Sequence, residues 1–150
     1  AFWNGTSWTF VSPPNPPGEL GPGGDTLLSL SCTSPTACTA VGGYYKTGTT
    51  ATLAERWDGT SWTIQPTSNP GETPPYSYLG PFLSGVSCTS ATSCTAVGTY
   101  YSRGAQLPLA EHWNGTTWTV QPIANPQTGD NALSSVSCVS DSSCTAVGQG

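Results

Sequence analysis

Short stretches in which hydrophobic and polar residues alternate fill the chain, and no segment keeps a 3.6-residue apolar period over three helical turns. The middle of the chain contains four such stretches, each rich in β-branched or aromatic residues and bounded by turn residues. They span residues 83–88, 94–101, 107–113 and 117–121. The pattern predicts an all-β protein built of four-stranded antiparallel units, with strands over about half of the chain and almost no α-helix.

The same pattern recurs three times. Trp-Asn-Gly-Thr-Ser-Trp-Thr at 3–9 returns in nearly the same form at 57–63 and 113–119. A second motif, Leu-x-x-(Val/Leu)-Ser-Cys followed by Cys-Thr-Ala-Val-Gly, occupies 27–42, 83–98 and 133–148. Asn-Gly or Asp-Gly between paired tryptophans indicates a tight hairpin, because glycine adopts positive φ without steric cost. Four-stranded units repeating at this spacing, with no helix between them, are typical of β-propeller blades.

The order of the motifs predicts three blade-equivalents in a single array, with a half-blade at each terminus. We expect residues 1–12 to supply strands three and four of a blade, 27–66 and 83–122 to form whole blades, and 133–150 to supply strands one and two. A closed propeller usually needs about four to eight blades, so three equivalents require a partner.

The two half-blades are expected to complete each other between copies of the chain, which gives a closed oligomer or an open filament. Trp3, Trp8, Val136 and Val147 are the residues expected at this joint. Self-closure within one chain is the weaker alternative. A third alternative is that these residues are a piece of a longer propeller.

The repeated motifs carry a family resemblance. Ser-Cys-x5-Cys-x-Ala-Val-Gly followed by Leu-Ala-Glu-x-Trp-(Asn/Asp)-Gly-Thr-x-Trp resembles the repeats of secreted actinobacterial-type β-propeller proteins, some of which are lectin-like. The resemblance covers nearly the whole chain and implies the propeller fold. It implies no particular ligand, because propellers of one repeat type serve many functions.

The six cysteines fall into three pairs with the same separation of six residues. Equal spacing at equivalent positions predicts three local disulfides, Cys32–Cys38, Cys88–Cys94 and Cys138–Cys144, and favours a secreted, extracellular protein. Zinc is the weaker alternative, because metal sites use tighter cysteine pairs and His112 is the only histidine.

A chain that starts at Ala1 and contains no Met is expected of a secreted protein after signal removal, or of an excised fragment.

Composition excludes several functional classes. Charged residues make up 7% of the chain, the net charge is −5 and no basic run occurs, so nucleic acid is not an expected partner. No apolar stretch approaches the roughly 18 residues that span a bilayer, so membrane insertion is not expected either.

Candidate catalytic groups are few, and we expect no enzyme activity, no cofactor and no metal. His112 occupies the position that Arg56 holds in the neighbouring repeat, which is typical of a solvated strand position. Glu55 and Glu111 recur at equivalent positions, but such positions in separate blades seldom approach closely enough for glycoside cleavage. Each is expected to cap or to form a salt bridge locally, as Glu55 beside Arg56 suggests. No nucleophile elbow, phosphate loop or calcium loop is present.

The loops that differ between repeats are the candidate recognition surface. Residues 12–26, 66–82 and 122–132 join successive blades, residues 44–52 and 100–107 follow the second strand, and both sets are expected on one face. Rigid aromatic side chains on such loops are typical of binding surfaces. The aromatic and basic residues concerned are Tyr44, Tyr45, Tyr76, Tyr78, Tyr100, Tyr101, Lys46 and Arg103.

The repeated tryptophans Trp8, Trp62 and Trp118 have two interpretations. They are either core residues or repeated platforms on which sugar rings stack. These patterns predict an extracellular binding module that is lectin-like and recognises a glycan or cell-wall polysaccharide. The alternative is a structural subunit that assembles by half-blade exchange.

Overall fold

The computed structural model describes residues 1–19, 24–46, 48–71, 80–124 and 129–150. These residues form twelve β-strands and no helix, which confirms the predicted all-β class. The strands are β1 Phe2–Trp3, β2 Trp8–Thr9, β3 Asp25–Ser34, β4 Ala37–Lys46, β5 Thr49–Trp57, β6 Trp62–Gln65, β7 Phe82–Ser90, β8 Ser93–Ser102, β9 Ala105–Trp113, β10 Trp118–Val120, β11 Ala132–Ser140 and β12 Ser143–Gln149.

The strands pair in chain order into four antiparallel sheets. Strands β3 to β6 form a four-stranded sheet, here called sheet 1, and β7 to β10 form sheet 2. Strands β1 and β2 form a separate N-terminal hairpin, and β11 and β12 form a separate C-terminal pair. The predicted four-stranded antiparallel units are therefore confirmed. The described residues do not close into a ring, so the propeller arrangement stays a prediction.

The paired tryptophans flank tight turns, as the Asn-Gly and Asp-Gly motifs predict. Trp3 pairs with Trp8 across the N-terminal hairpin, and Gly5 between them has a φ of 95°. The Oδ1 atom of Asn4 accepts hydrogen bonds from the backbone N–H groups of Thr6 and Ser7, both at 2.9 Å. The equivalent Asp58 and Asn114 accept the same pair of bonds in sheets 1 and 2. The turn chemistry alone therefore explains these three side chains.

The glycine of each Ala-Val-Gly motif lies beside an irregularity in the first strand of its sheet. The register between β3 and β4 shifts between Leu27 and Ser29, which is the pattern of a β-bulge. A Cβ atom on Gly42 would overlap the carbonyl oxygen of Thr26. Gly98 and Gly148 meet the same obstacle in the other repeats. The glycine recurs because only hydrogen fits against the bulged strand.

The three predicted disulfides are confirmed. Each joins residues that lie directly opposite each other in the first hairpin of its sheet, as Cys88 and Cys94 do between β7 and β8. The other two bridges are Cys32–Cys38 and Cys138–Cys144. The described residues contain no free cysteine. Three disulfides are compatible with an extracellular protein.

The hydrophobic core lies between sheet 1 and sheet 2. Val41 and Ala54 of sheet 1 belong to one buried cluster with Leu83, Val86 and other residues of sheet 2. At the outer strands the indole Nε1 of Trp118 donates a hydrogen bond of 3.0 Å to Oε1 of Gln65. The sheets therefore stack face to face, and the core belongs to the joint between two repeats.

Two joints in the chain are built from the same contact. The backbone N–H of Cys88 in sheet 2 donates to Oγ of Ser31 in sheet 1 at 3.0 Å. One repeat later, the N–H of Cys138 donates to Oγ of Ser87, also at 3.0 Å. The Ser87–Cys88 dipeptide of sheet 2 thus accepts from the next repeat through its serine and donates to the previous one through its cysteine. The C-terminal pair consequently sits on sheet 2 as sheet 2 sits on sheet 1.

Candidate functional site: the open faces of the end repeats

Each sheet has a front face, which points toward the preceding repeat, and a back face, which points toward the following one. Val86 on the front face of sheet 2 is 7% exposed because sheet 1 covers it. Leu30 holds the equivalent position on the front face of sheet 1 and is 57% exposed. An apolar side chain that the repeat normally buries is therefore left open to solvent.

The back faces show the same contrast at the other end of the array. Val41 of sheet 1 and Val97 of sheet 2 are buried, at 0% and 2% exposure. Val147 of the C-terminal pair is the equivalent residue and is 61% exposed. The front face of sheet 1 and the back face of the C-terminal pair are thus the two unmatched halves of one kind of joint.

Among the described residues, two strands at the ends of the array lack a neighbour that their counterparts in the complete sheets have. Strands β4 and β8 have neighbours on both sides, whereas the equivalent β12 pairs only with β11. Strand β5 pairs with β4 and β6, whereas the equivalent β1 pairs only with β2. The hairpin and the C-terminal pair belong to different sheets, so the structure does not contain the self-closure within one chain that was the weaker alternative. Such edges are templates for another strand.

The N-terminal hairpin already rests on the front face of sheet 1. The rings of Phe2 and Trp57 lie 4.6 Å apart between centroids. Beside the hairpin an open cleft of about 260 Å³ remains over strand β3. Ala1, Leu27, Leu28, Leu30 and Trp62 are among its lining residues. The hairpin therefore covers the outer part of the front face and leaves the inner part empty.

The residues predicted for assembly lie mainly on these open surfaces. Trp3, Trp8 and Val147 are exposed by 52%, 65% and 61%. Val136 is half-buried on the front face of the C-terminal pair, which packs on sheet 2. The exposed apolar area of these residues is thus split between the hairpin and the C-terminal pair.

The three predicted sugar-stacking tryptophans have different environments. Trp118 is 4% exposed and its Nε1 is bonded to Gln65, so no sugar ring can reach its face. Trp62 is half-buried, and only Trp8 offers most of its surface to solvent. A repeated platform is therefore not present, because exposure follows the neighbouring sheet and not the motif.

The sequence predicts Tyr44 and Tyr45 on a loop, and that placement is wrong; Tyr100 and Tyr101, assigned both to the strand 94–101 and to the loop 100–107, lie in a strand. Tyr44 and Tyr45 belong to β4, and Tyr100 and Tyr101 belong to β8, because the strands continue to Lys46 and Ser102. Neighbouring strand residues point to opposite faces, so each pair is divided between two faces. Arg103 lies in the turn after β8 with a φ of 54°. Tyr76 and Tyr78 lie outside the described residues.

The two variable loop sets nevertheless meet at one edge of the sheets. The backbone of Glu19, from the loop before sheet 1, forms an isolated antiparallel β-bridge with Lys46 at the end of β4. The backbone N–H of Asn131, from the loop after sheet 2, donates to the carbonyl oxygen of Gln106 at 2.9 Å. Near Lys46 lies a groove of about 460 Å³, lined by Pro16, Pro17, Tyr44, Thr52, Ile64, Asn69 and neighbouring residues.

Sequence reasoning missed a buried acid in each complete sheet. Glu55 and Glu111 are both 0% exposed, and burial raises the pKa of each to about 7, with Asp25 adding to the effect on Glu55. Among the described residues, neither oxygen of Glu55 has a hydrogen-bond partner, whereas Oε2 of Glu111 accepts from the N–H of Ser68 at 3.3 Å. Arg56 donates to the carbonyl oxygen of Ala91, so the expected Glu55–Arg56 ion pair is wrong.

The alternation along β5 contains the signal that would have located these acids. Leu53, Glu55 and Trp57 are spaced by two, so the carboxyl lies on the same face as two buried apolar residues. The same spacing places Glu111 between Leu109 and Trp113. Both carboxyls therefore belong to the stacking surface between repeats.

Comparisons with known proteins add no assignment. No protein-family model, no curated protein and no solved structure matches the chain. Among the described residues, no helix is long and apolar enough to cross a membrane, and no group of three or more His, Cys, Asp or Glu side chains is placed to hold a metal ion.

Proposed function

We propose that this chain is an extracellular structural module that assembles with copies of itself by completing its half-blades. Each copy contributes a C-terminal pair and an N-terminal hairpin, and the two from different copies form one composite blade. Two copies would supply six blades, which lies within the usual range of about four to eight for a closed propeller. The same joint with a different rotation would propagate as a filament.

The observation that carries this proposal is the difference in exposure at equivalent positions. Leu30 is 57% exposed where Val86 is 7% exposed, and Val147 is 61% exposed where Val97 is 2% exposed. Contiguous apolar surface with this shape favours a partner built like the neighbouring repeat. A self-complementary array provides that partner without any further protein.

Solution size is the direct test. Size-exclusion chromatography with light scattering on the 150-residue chain should give a dimer or a series of larger species. Leu30→Asp and Val147→Asp each place a charge in the joint and should give monomers with unchanged far-ultraviolet dichroism. Val120→Asp is the matched control, because Val120 is 43% exposed and lies two residues from Trp118, on the face of sheet 2 that already meets sheet 1 within the chain. A monodisperse monomer from the unmodified chain would overturn the proposal.

Glycan binding is a second candidate, and the groove beside Tyr44 favours it. Its volume of about 460 Å³ and its mixture of proline, tyrosine, threonine and asparagine side chains suit a small polar ligand with apolar faces. Titration calorimetry with cell-wall oligosaccharides should detect binding that Tyr44→Ala abolishes and Tyr101→Ala leaves intact. Equal binding by both variants would exclude this groove as the site.

A further inference from the structure

We infer the register and the recognition contacts of the composite blade: Trp3 and Phe2 of one copy lie opposite Cys144 and Thr145 of a second, and Trp8 of the first donates to Gln121 of the second. This inference rests on the proposed self-assembly and names its joint. It follows from the two joints already present in the chain, because each uses the same repeat positions.

The strand register comes from the two complete sheets. Cys38 lies opposite Trp57 and Thr39 opposite Arg56 in sheet 1. Cys94 lies opposite Trp113 and Thr95 opposite His112 in sheet 2. The C-terminal pair presents Cys144 and Thr145 on the unpaired edge of β12, and the hairpin presents Trp3 and Phe2 on that of β1. The composite blade therefore pairs Cys144 with Trp3 and Thr145 with Phe2.

The inner strands supply the second set of contacts. Ser31 and Ser87 each accept a hydrogen bond from the cysteine N–H of the following repeat. Ser137 is the equivalent serine of the C-terminal pair, and Cys32 is the equivalent cysteine of sheet 1. Oγ of Ser137 in one copy therefore accepts from the N–H of Cys32 in the next, and Val147 packs on Leu30. These residues would fill the cleft over β3.

The outer strands supply the contact with the clearest chemistry. Within the chain, Trp118 is buried in the joint between the sheets, and Gln65 of the preceding sheet accepts its indole N–H at 3.0 Å. Gln121 is the residue of sheet 2 that corresponds to Gln65, and it is exposed. Trp8 corresponds to Trp118 and is 65% exposed. Bringing the hairpin of a second copy beside the C-terminal pair places Trp8 against Gln121.

The occupant of the open faces is therefore a second copy of this chain, since the surface continues a joint that the chain already makes twice. The contact is head-to-tail, because the front face of one copy meets the back face of another. Symmetric packing of two front faces would bury Leu30 against Leu30 and leave Val147 and Gln121 exposed. The two arrangements are distinguished by which residues cross-link.

Cross-linking between two different variants tests the register. The Cys pairs within each hairpin have Cα atoms 3.9–4.0 Å apart, which identifies the closely spaced, non-hydrogen-bonded type of pair. The backbone N–H and C=O groups of successive strand residues point to opposite edges of the strand. Those of Cys144 point away from Cys138, toward the edge that meets the second copy. Those of its neighbour Thr145 point back toward β11, so Thr145 and Phe2 form a non-hydrogen-bonded pair of the same close type. A mixture of Phe2→Cys and Thr145→Cys chains should yield a disulfide dimer containing one of each.

Thr9→Cys mixed with Thr145→Cys is the matched control. Thr9 pairs with Phe2 on the next strand outward, at about 10 Å from the position of Thr145 in the composite blade. It should give at least tenfold less cross-link than the Phe2 variant. Assembly with equal cross-linking in both mixtures, or with none in either, overturns the inferred register and leaves self-assembly standing. A monomer in every case overturns both.

Paired glutamine variants test the indole contact separately. Gln121→Leu should weaken self-association by roughly tenfold, as expected for one lost interfacial hydrogen bond, and should leave the melting temperature of the monomer at high dilution unchanged. Gln65→Leu removes the equivalent bond inside the chain, so it should lower the melting temperature of the monomer. An unchanged association constant in Gln121→Leu would contradict the contact.

Discussion

The front faces of sheet 1 and sheet 2 are built from the same sequence pattern but differ in how far they are buried. On sheet 2, Leu83 and Val86 are buried beneath sheet 1. On sheet 1, the equivalent Leu27 and Leu30 are only partly covered, because the N-terminal hairpin reaches the outer strands alone. Burial in this protein is therefore a property of the neighbouring repeat. The repeat motif determines which face of a sheet is apolar. Whether that face is part of the core or is left as an open surface depends on whether a neighbouring repeat covers it.

The largest expected contrast comes from truncating matched leucines. Leu83→Ala should lower the free energy of unfolding by about 2–5 kcal/mol, because it leaves a cavity in the joint between the sheets. Leu30→Ala should change that of the monomer by less than about 0.5 kcal/mol, because its side chain is mostly solvated. Urea denaturation at high dilution measures both. Equal losses would show that the two faces are equally packed.

Removing matched disulfides should give an intermediate difference in stability between a covered and an open repeat. Replacing Cys88 and Cys94 together by alanine should cost about 2 kcal/mol from the closed ring alone, with an added packing cost because Cys94 belongs to the buried cluster. The same change at Cys138 and Cys144 should cost only the ring contribution, since Cys144 is exposed. Thermal melts of the two double variants measure the difference. A larger loss of stability from the Cys138 and Cys144 variant would contradict the conclusion that sheet 2 is covered and the C-terminal pair is open.

The buried acids predict a smaller, pH-dependent effect. Between pH 4.5 and about 7, folded Glu111 holds a proton that the unfolded chain releases, so raising the pH through this window lowers the free energy of unfolding. Glu111→Gln should raise the melting temperature by several degrees at pH 8 and change it much less at pH 5.

Asp58→Asn provides the matched control for the pH effect. Backbone hydrogen bonds from Ser61 and Thr60 lower the pKa of exposed Asp58, so its contribution to stability is lost as the pH falls. This variant should therefore flatten the profile at its acidic end only. A Glu111→Gln profile parallel to that of the unmodified chain would show that the buried carboxyl keeps an ordinary pKa.

Local chemistry made most of the fold predictable from sequence. The spacing of Cys88 and Cys94 identifies a hairpin with opposed cysteines, and Asn-Gly between two tryptophans identifies a turn. The site was less predictable, because exposure depends on contacts between repeats. Trp62 and Trp118 share one motif, yet one is half-buried and the other is 4% exposed. The placement of Tyr44 and Tyr45 on a loop is wrong because no local signal shows where a strand of tyrosines and glycines ends.

The turns at Asn4, Asp58 and Asn114 have a consequence for chemical ageing. An asparagine followed by glycine loses its side-chain amide readily, because the unhindered glycine nitrogen attacks the side-chain carbonyl carbon, ammonia leaves, and water opens the resulting cyclic imide to aspartate or isoaspartate. Asp58 shows what the hydrolysed form would look like, because its Oδ1 accepts the same two backbone N–H groups at 2.8 Å that the asparagines accept at 2.9 Å. Its oxygens need no amide hydrogen for this role. An old molecule in which Asn4 or Asn114 has become aspartate would keep the turn, gain a negative charge and remain competent to fold.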